Sequence, residues 1–294
     1  MYRVGIDLGG TKIEGIVLDK QGKETFRKRI PTEQEKGYLH ILNQIKQLYG
    51  ELAASIHNQN HTTGFGTPGA LSSRTGLIKN SNTQCLNGQP LKIELERILG
   101  RKIEIQNDAN CFAMAEALYG AGKGRKLVFG VIMGTGCGGG IVYKGEVITG
   151  PQNIAGEWGH MSIDPAGPQC YCGNRGCVET YISGGGVEAL YARRFGRKRS
   201  FQEIAEDFQN NVPEALDFMA GFFQNFGRAL ANLIDVLDPD IVVLGGGVSN
   251  FGALYGRGIA EVSKHVFSDV LETPIVKNQL GDSAGVIGAA LIGI

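Results

Sequence analysis

An α/β fold is predicted by three features of the sequence. Strand-like and helix-like segments alternate along the chain. Two strand–turn–strand units with glycine-rich turns recur roughly half a chain apart, which suggests a duplicated architecture. A third apolar run ends on Gly245-Gly246-Gly247. With 294 residues the chain is long enough for two domains, each with a sizeable core. Its 45 glycines accompany only 9 prolines and follow no collagen-like period, so they belong to turns and to close backbone approaches.

The elements follow in order. Residues 4–8 form an apolar run, Gly9-Gly10-Thr11-Lys12 a tight turn, and residues 13–18 a returning strand. A second turn at 19–22 leads to a strand near 25–29. Residues 38–54 carry Leu39, Leu42, Ile45 and Leu48 at helical spacing. A short strand at 63–66 stops at Pro68-Gly69, a short helix covers 91–99, and a strand covers 103–106. Asn107-Asp108 ends that strand and opens a helix over 109–119. Residues 127–133 begin the second strand–turn–strand, whose turn is the glycine run 134–140 and whose return is 141–143. Residues 213–237 form a long helix with Leu216, Met219, Phe223, Phe226, Leu230, Leu233 and Leu237 on one broad face, stopped by Asp238-Pro239. A strand at 241–244 and a small-residue helix at 283–291 complete the chain.

Composition excludes several classes. Lys plus Arg and Asp plus Glu both number 29, so charge argues neither for nucleic acid nor for an anionic membrane. No apolar stretch approaches the length of a membrane span, and Asp7 interrupts any leader-like run at the start. The expected compartment is the cytoplasm, where thiols stay reduced. Cys85, Cys111 and Cys137 are isolated and read as small buried hydrophobes.

The densest chemistry lies between Glu157 and Glu179. His160, Cys170, Cys172 and Cys177 form the ligand set of a closed tetrahedral zinc site. Such a site is structural, and its metal would order a loop too short and polar to bury a core of its own. Glu157 and Glu179 then suit hydrogen bonds to a polyol. One imidazole nitrogen of His160 would hold the metal, leaving the other to meet a sugar hydroxyl.

Each glycine-rich turn, taken singly, is compatible with an ordinary hairpin. Three such strand ends in one α/β chain suit a nucleotide, with backbone N–H groups approaching its phosphates and Asp7 holding a hydrated Mg²⁺. Asn107-Asp108 suits either a helix N-cap or a catalytic carboxylate at a strand end, and the two roles coexist if Asn107 caps while Asp108 meets the substrate.

These residues resemble a known family. Asp7-Leu8-Gly9-Gly10-Thr11-Lys12 resembles the first phosphate motif of the ROK (repressor, open reading frame, kinase) sugar kinases. Gly134-Thr135-Gly136-Cys137-Gly138-Gly139-Gly140 resembles the second, and Leu244-Gly245-Gly246-Gly247 the adenosine motif. Glu157-Trp158-Gly159-His160 is similar to the sugar motif. The segment Cys170-Tyr171-Cys172-Gly173-Asn174-Arg175-Gly176-Cys177-Val178-Glu179 is similar to the zinc motif.

The resemblance covers essentially the whole chain. It implies an actin-like, hexokinase-like (ribonuclease H-like) ATPase fold, with two lobes closing around a cleft: 1–117 plus 280–294, and 118–279. It implies ATP-dependent phosphorylation of the 6-hydroxyl of a hexose, with Asp108 as catalytic base and structural zinc. The sugar would be held by Gly66, Thr67, Pro68, Gly69, Asn80, Asn82, Asn107, Asp108, Glu157, His160 and Glu179. Nucleotide and Mg²⁺ would be held by Asp7, Gly9, Gly10, Thr11, Lys12, Gly134, Thr135, Gly136, Gly245, Gly246 and Gly247. It also implies a homodimer. The sugar-side segments look most like bacterial fructokinases that accept mannose, which points to D-fructose. N-acetylglucosamine kinases share much of the pattern but tend to carry Phe at the position of Trp158. The family also contains sugar-responsive transcriptional repressors with an N-terminal winged helix-turn-helix. Only six residues precede Asp7 here, so a kinase is expected rather than a repressor.

Overall fold

The structure, a computed structural model, describes residues 1–293. The first part of the chain supplies strands β1 (Tyr2–Leu8), β2 (Lys12–Leu18) and β3 (Glu24–Pro31), helix α1 (Tyr38–Ser55) and strand β4 (His61–Thr67). The short pair β5 (Ala70–Leu71) and β6 (Ile78–Lys79), helix α2 (Leu91–Leu99), strand β7 (Glu104–Asn107) and helix α3 (Asp108–Leu118) follow. Next come β8 (Leu127–Met133), β9 (Cys137–Tyr143) and β10 (Glu146–Ile148), then helices α4 (Glu179–Ile182), α5 (Gly184–Phe195), α6 (Phe201–Gln209) and α7 (Pro213–Leu237). Strand β11 (Ile241–Gly245), helix α8 (Arg257–His265), strand β12 (Ile275–Lys277) and helix α9 (Ala284–Ile292) complete the order. Among the described residues no helix is long and apolar enough to cross a membrane.

The chain divides into two compact units. One comprises 1–119, 145–155 and 280–294; the other comprises 120–144 and 156–279. The segment 145–155 sits with the first unit, not with 118–279 as its place in the sequence suggests. Hydrogen bonds hold it there: Lys79 Nζ donates to the Gln152 carbonyl at 3.0 Å and Asn153 Nδ2 to the Leu71 carbonyl at 3.0 Å.

In the first unit the sheet runs β3-β2-β1-β4-β7, with β1, β4 and β7 parallel. Helix α1 covers it with Ile41, Leu42, Ile45, Leu48 and Leu52. Leu39, which the spacing places on that face, is 72 % exposed, because the buried stripe follows 41, 45, 48 and 52 one turn apart. On the opposite side α9 lies against β1, β4 and α3, as its run of small residues permits. A Cβ on Gly5 would fall 2.4 Å from the Ala290 nitrogen, one on Gly64 2.0 Å from the Ala289 carbonyl, and one on Gly288 1.8 Å from the Cys111 carbonyl.

The second unit repeats the central pattern. Strands β9, β8, β11 and β12 are adjacent in that order, β9 antiparallel and the others parallel. This matches β2, β1, β4 and β7, as the recurring glycine hairpins suggest. Its core is aromatic, with Phe222, Phe223, Phe226 and Phe251 clustered along α7. Proline opens α7, and Asp238 in the left-handed conformation (φ 43°) ends it. The Asp240 carboxylate accepts the N–H groups of Lys126 and Leu127 at 2.7 and 2.8 Å and so fixes the start of β8. Helix α6, absent from the elements read above although Phe201, Ile204, Ala205 and Phe208 recur at helical spacing, begins at a Ser200–Glu203 capping box. Cys111 and Cys137 are buried, whereas Cys85 is only partly so.

The approach of α9 to α3 makes a test. Gly288→Ala overpacks a backbone contact at a cost of about 1–3 kcal/mol, so the melting temperature should fall by several degrees. Gly50→Ala, on an open face of α1, should leave it unchanged or raise it. Equal melting temperatures for Gly288→Ala and the parent chain would refute the packing account.

Candidate active site

In the first unit the candidate residues meet at the C-terminal ends of parallel strands, where open α/β sheets place ligands. Asp7 of β1 pairs with Gly66 of β4, and Thr67 of β4 with Asn107 of β7. The Asp7 carboxylate occupies space that only glycine leaves. A Cβ on Gly66 would lie 2.9 Å from its Oδ1, and one on Gly285 2.8 Å from its Oδ2. Desolvation, then the neighbouring charges of Asp108 and Glu14, push Asp7 from 3.8 up to about 7, against a smaller opposing effect of Lys12. Two mutually repelling carboxylates beside a glycine turn are an oxygen donor set of the kind that holds Mg²⁺.

The first turn is closed by Gly9 N–H donating to the Lys12 carbonyl at 2.9 Å. Thr32, fully buried, braces it: its N–H donates to the Thr11 carbonyl at 3.0 Å and its hydroxyl to the Gly9 carbonyl at 2.7 Å. Sequence reading missed Thr32, because a lone threonine after an edge strand carries no motif. Lys12 opens β2 and lies 3.8 Å from the Glu14 carboxylate.

Asn107 is the N-cap of α3. Its Oδ1 accepts the Ala109 N–H at 2.8 Å and its Nδ2 donates to the Gly69 carbonyl at 3.1 Å, so much of its hydrogen-bonding capacity is engaged within the protein. Asp108, the next residue, is exposed at the first position of the helix. Of the two roles open in the sequence, the cap falls to Asn107, and the Asp108 carboxylate stands exposed beside it. Gly69 adopts φ 80° where the chain passes Thr67-Pro68, and a Cβ there would also strike the Lys79 carbonyl at 2.4 Å. Asn80 (φ 59°) and Asn82 are exposed on a loop that Asn87 ties to the backbone of Ser81, at 2.9 Å to its N–H and 2.8 Å to its carbonyl.

The second unit groups the other two glycine elements. The turn is only 134–136; Gly138, Gly139 and Gly140 belong to β9. Their lack of side chains serves packing, since a Cβ on Gly139 would lie 2.6 Å from the Trp158 ring. Gly184 N–H donates to the Gly134 carbonyl at 2.7 Å and Gly185 N–H to the Thr135 carbonyl at 3.2 Å. The start of α5, with Ser183 as N-cap, therefore packs directly on the turn. The Ser-Gly-Gly-Gly run at 183–186 was the available signal for this brace.

Gly246 (φ 79°) crosses the Met133 backbone, and open space lies beside Gly247. Gly134, Thr135, Gly185, Gly247 and the α6 face carrying Phe201 and Glu206 line a cavity of about 770 Å³, of the size that small-molecule ligands occupy.

His160, Cys170, Cys172 and Cys177 also converge in this unit, their donor atoms all within 4.8 Å of one another. Cys172 Sγ and Cys177 Sγ are 3.6 Å apart, as are Cys170 Sγ and His160 Nδ1. The edges of a tetrahedron around a cation with ~2.3 Å sulfur bonds and ~2.0 Å nitrogen bonds are about 3.5–3.8 Å, so the quartet fits a four-coordinate metal. Nδ1 is the nitrogen facing the thiols. Nε2 is not vacant as the spacing suggests; it contacts the Tyr171 hydroxyl at 3.1 Å. Desolvation, then the charges of Glu179 and Glu157, push Tyr171 up to about 12, so its hydroxyl keeps its proton at neutral pH.

Glu179, expected on the sugar, also serves the glycine turn: its Oε2 accepts the Cys137 N–H at 2.8 Å. Glu157 begins the short turn Trp158–His160, and Gly159 lets that turn press on the Cys137 carbonyl. Trp158 is 4 % exposed, edge-on to Phe129, with Nε1 donating to the Gly138 carbonyl at 3.0 Å. It is a core residue.

The chain matches the ROK family over residues 3–293. It belongs to the ROK family. It is 37% identical over 300 residues to N-acetyl-D-glucosamine kinase of Aliivibrio salmonicida, spanning 99% of each protein. Its fold superposes on a ROK hexokinase from Thermus thermophilus with a TM-score of 0.89 at 33% identity, covering 100% of this chain and 98% of that one. A ROK family glucokinase from Streptomyces griseus, in complex with glucose and AMPPNP, gives 0.79 at 26% identity, covering 100% and 99%. The fold is accordingly the actin-like, hexokinase-like one.

The raised Asp7 makes a pH prediction. A carboxyl with folded value about 7 and unfolded value 3.8 binds a proton only in the folded state between those limits. Its stabilising contribution is full below the lower value and lost as pH rises through about 7. Asp7→Asn should therefore melt higher than the parent chain at pH 8, by roughly 2–4 °C for each kcal/mol relieved. A lower melting temperature at pH 8, measured without ligands, would overturn the assignment.

Proposed function

We propose that the chain transfers the γ-phosphoryl group of ATP to the 6-hydroxyl of a hexose, with N-acetyl-D-glucosamine the foremost candidate. The observation that carries this reading is the grouping of exposed Asp108 with Asp7 and the first glycine turn at parallel strand ends. The cavity between the second and third glycine elements supports a nucleotide, and the ATP-analogue complex of the Streptomyces griseus relative supports ATP as donor. The choice of N-acetyl-D-glucosamine rests on the Aliivibrio relative and on a Vibrio cholerae kinase of the same name at 36% identity. Both relatives argue against the D-fructose that the sugar-side segments suggest, and Trp158, the position that set fructose apart from N-acetyl-D-glucosamine, is buried.

In this reading Asp108 orients the acceptor hydroxyl and takes its proton. An ordinary carboxylate is a weak base, but in a loose phosphoryl-transfer transition state the proton leaves late, and alignment contributes most. Asn107, fixed by its cap and by Gly69, holds the start of α3 beneath it. Asp7 would hold Mg²⁺, which when bound offsets phosphate charge. His160, Cys170, Cys172 and Cys177 would hold zinc with no open position, so its part is to order the loop carrying Glu157, His160 and Glu179.

Three experiments follow. In a coupled ATP-consumption assay with N-acetylglucosamine, glucose, mannose, N-acetylmannosamine and fructose, the first should show the highest kcat/KM. Asp108→Ala should lower kcat by roughly 10²–10⁴-fold while sugar affinity stays within a few-fold. Wild-type turnover in that variant would end the proposal. Elemental analysis of protein purified without chelator should find zinc, and Cys177→Ser should lose it together with thermal stability. Zinc-free, fully stable protein would remove the metal assignment.

A further inference from the structure

The sugar role of His160 meets an obstacle within the protein. Nδ1 faces the thiol cluster, so Nε2 is the ring nitrogen left for a sugar hydroxyl, and the Tyr171 hydroxyl already sits 3.1 Å from it. The tyrosine ring stands edge-on to the imidazole, with centroids 5.2 Å apart at 89°. Yet Tyr171 is 76 % exposed, so burial does little to hold the ring there. Its hydroxyl also lies in the electrostatic field of Glu179 and Glu157, the two carboxylates assigned to the sugar.

The backbone of Tyr171 is pinned while its side chain is not. Cys170 and Cys172 flank it within the metal-donor quartet. The Cys170 N–H donates to the Asn174 carbonyl at 2.8 Å and the Gly173 N–H to the Cys170 carbonyl at 3.1 Å. Movement at this position is therefore confined to side-chain rotation, which costs an exposed ring little packing.

We propose that Tyr171 is an internal competitor for the sugar: its hydroxyl occupies the place on His160 Nε2 that a sugar hydroxyl takes, and binding exchanges one for the other. This rests on the hexose reading above. With Nδ1 turned to a metal, Nε2 is an N–H, so Tyr171 accepts from it as a sugar oxygen would. Intramolecular occupancy lowers apparent affinity by the fraction of molecules in which Nε2 is taken. One hydrogen bond of ordinary net strength corresponds to roughly 2- to 10-fold. Selectivity follows as well, since a ligand must present a hydroxyl in the position the tyrosine vacates.

The test is Tyr171→Phe in the zinc-loaded protein, which keeps the ring and removes the acceptor. Binding of N-acetyl-D-glucosamine, or of whichever sugar the panel selects, is measured by calorimetry without nucleotide. The expected result is a Kd and a sugar KM lowered roughly 2- to 10-fold, with kcat, the KM for ATP and zinc content unchanged. Weaker sugar binding would make Tyr171 a sugar ligand and overturn the proposal, as would unchanged binding. Tyr171→Ala, which removes ring and hydroxyl together, should also bind at least as tightly as the parent chain; loss of binding there with intact zinc would count equally against competition. Failure of the parent chain to phosphorylate any sugar in the panel would instead defeat the hexose reading, and this inference with it.

Discussion

Backbone segments in this protein approach one another more closely than any Cβ permits, and the placement of its candidate site residues depends on that. In the first unit, α9 lies on β1 and β4 through Gly5 and Gly64 and on α3 through Gly288. Two further glycines, Gly66 and Gly285, leave the space in which the Asp7 carboxylate sits. In the second unit, Gly139, Gly156 and Gly159 let the turn bearing Glu157 and His160 press against β9, while Gly184 and Gly185 bring α5 onto the second glycine turn. The abundance of glycine is therefore a packing requirement as much as a turn requirement, and the packing sets where Asp7, Asp108 and His160 stand.

The metal-donor quartet is the second organising element. The segment around it has few apolar residues of its own and is held by short turns: Ile163 N–H to the Gly176 carbonyl at 2.9 Å and Val178 N–H to the Met161 carbonyl at 2.9 Å. Through it run two connections to chemistry. Cys177 leads within two residues to Glu179, whose carboxylate accepts the Cys137 N–H beside the second glycine turn. His160 leads to Tyr171 through Nε2. Anything that disorders the quartet disturbs both the glycine turn and the imidazole.

Much of the site is legible in sequence because its chemistry needs particular residue types at short spacing. Cys170, Cys172 and Cys177 with His160 are such a case, since few other arrangements use three thiols and an imidazole so close together. The glycine turns at 9–12 and 134–136 and the strand end at 245–247 are others. Leu39 shows where pattern fails: it matches helical spacing, but the buried stripe is set by the sheet that α1 meets. Trp158 shows a second limit: it stands inside a functional motif, yet its side chain is buried in the core. Thr32 and the start of α5 carried weak or unread signals, since their role is to brace turns distant in sequence.

The sequence by itself determined the α/β class, the duplicated hairpin pattern, the metal-donor set and the carboxylates at strand ends, because each rests on local periodicity or on ligand chemistry at short range. Tertiary structure decided which polar atoms have their capacity already engaged. Asn107 is engaged by its cap and by Gly69, Glu179 meets the Cys137 N–H, and Nε2 of His160 faces Tyr171. Those outcomes depend on hydrogen bonds formed when separate segments are packed together, and spacing along a chain carries no record of them.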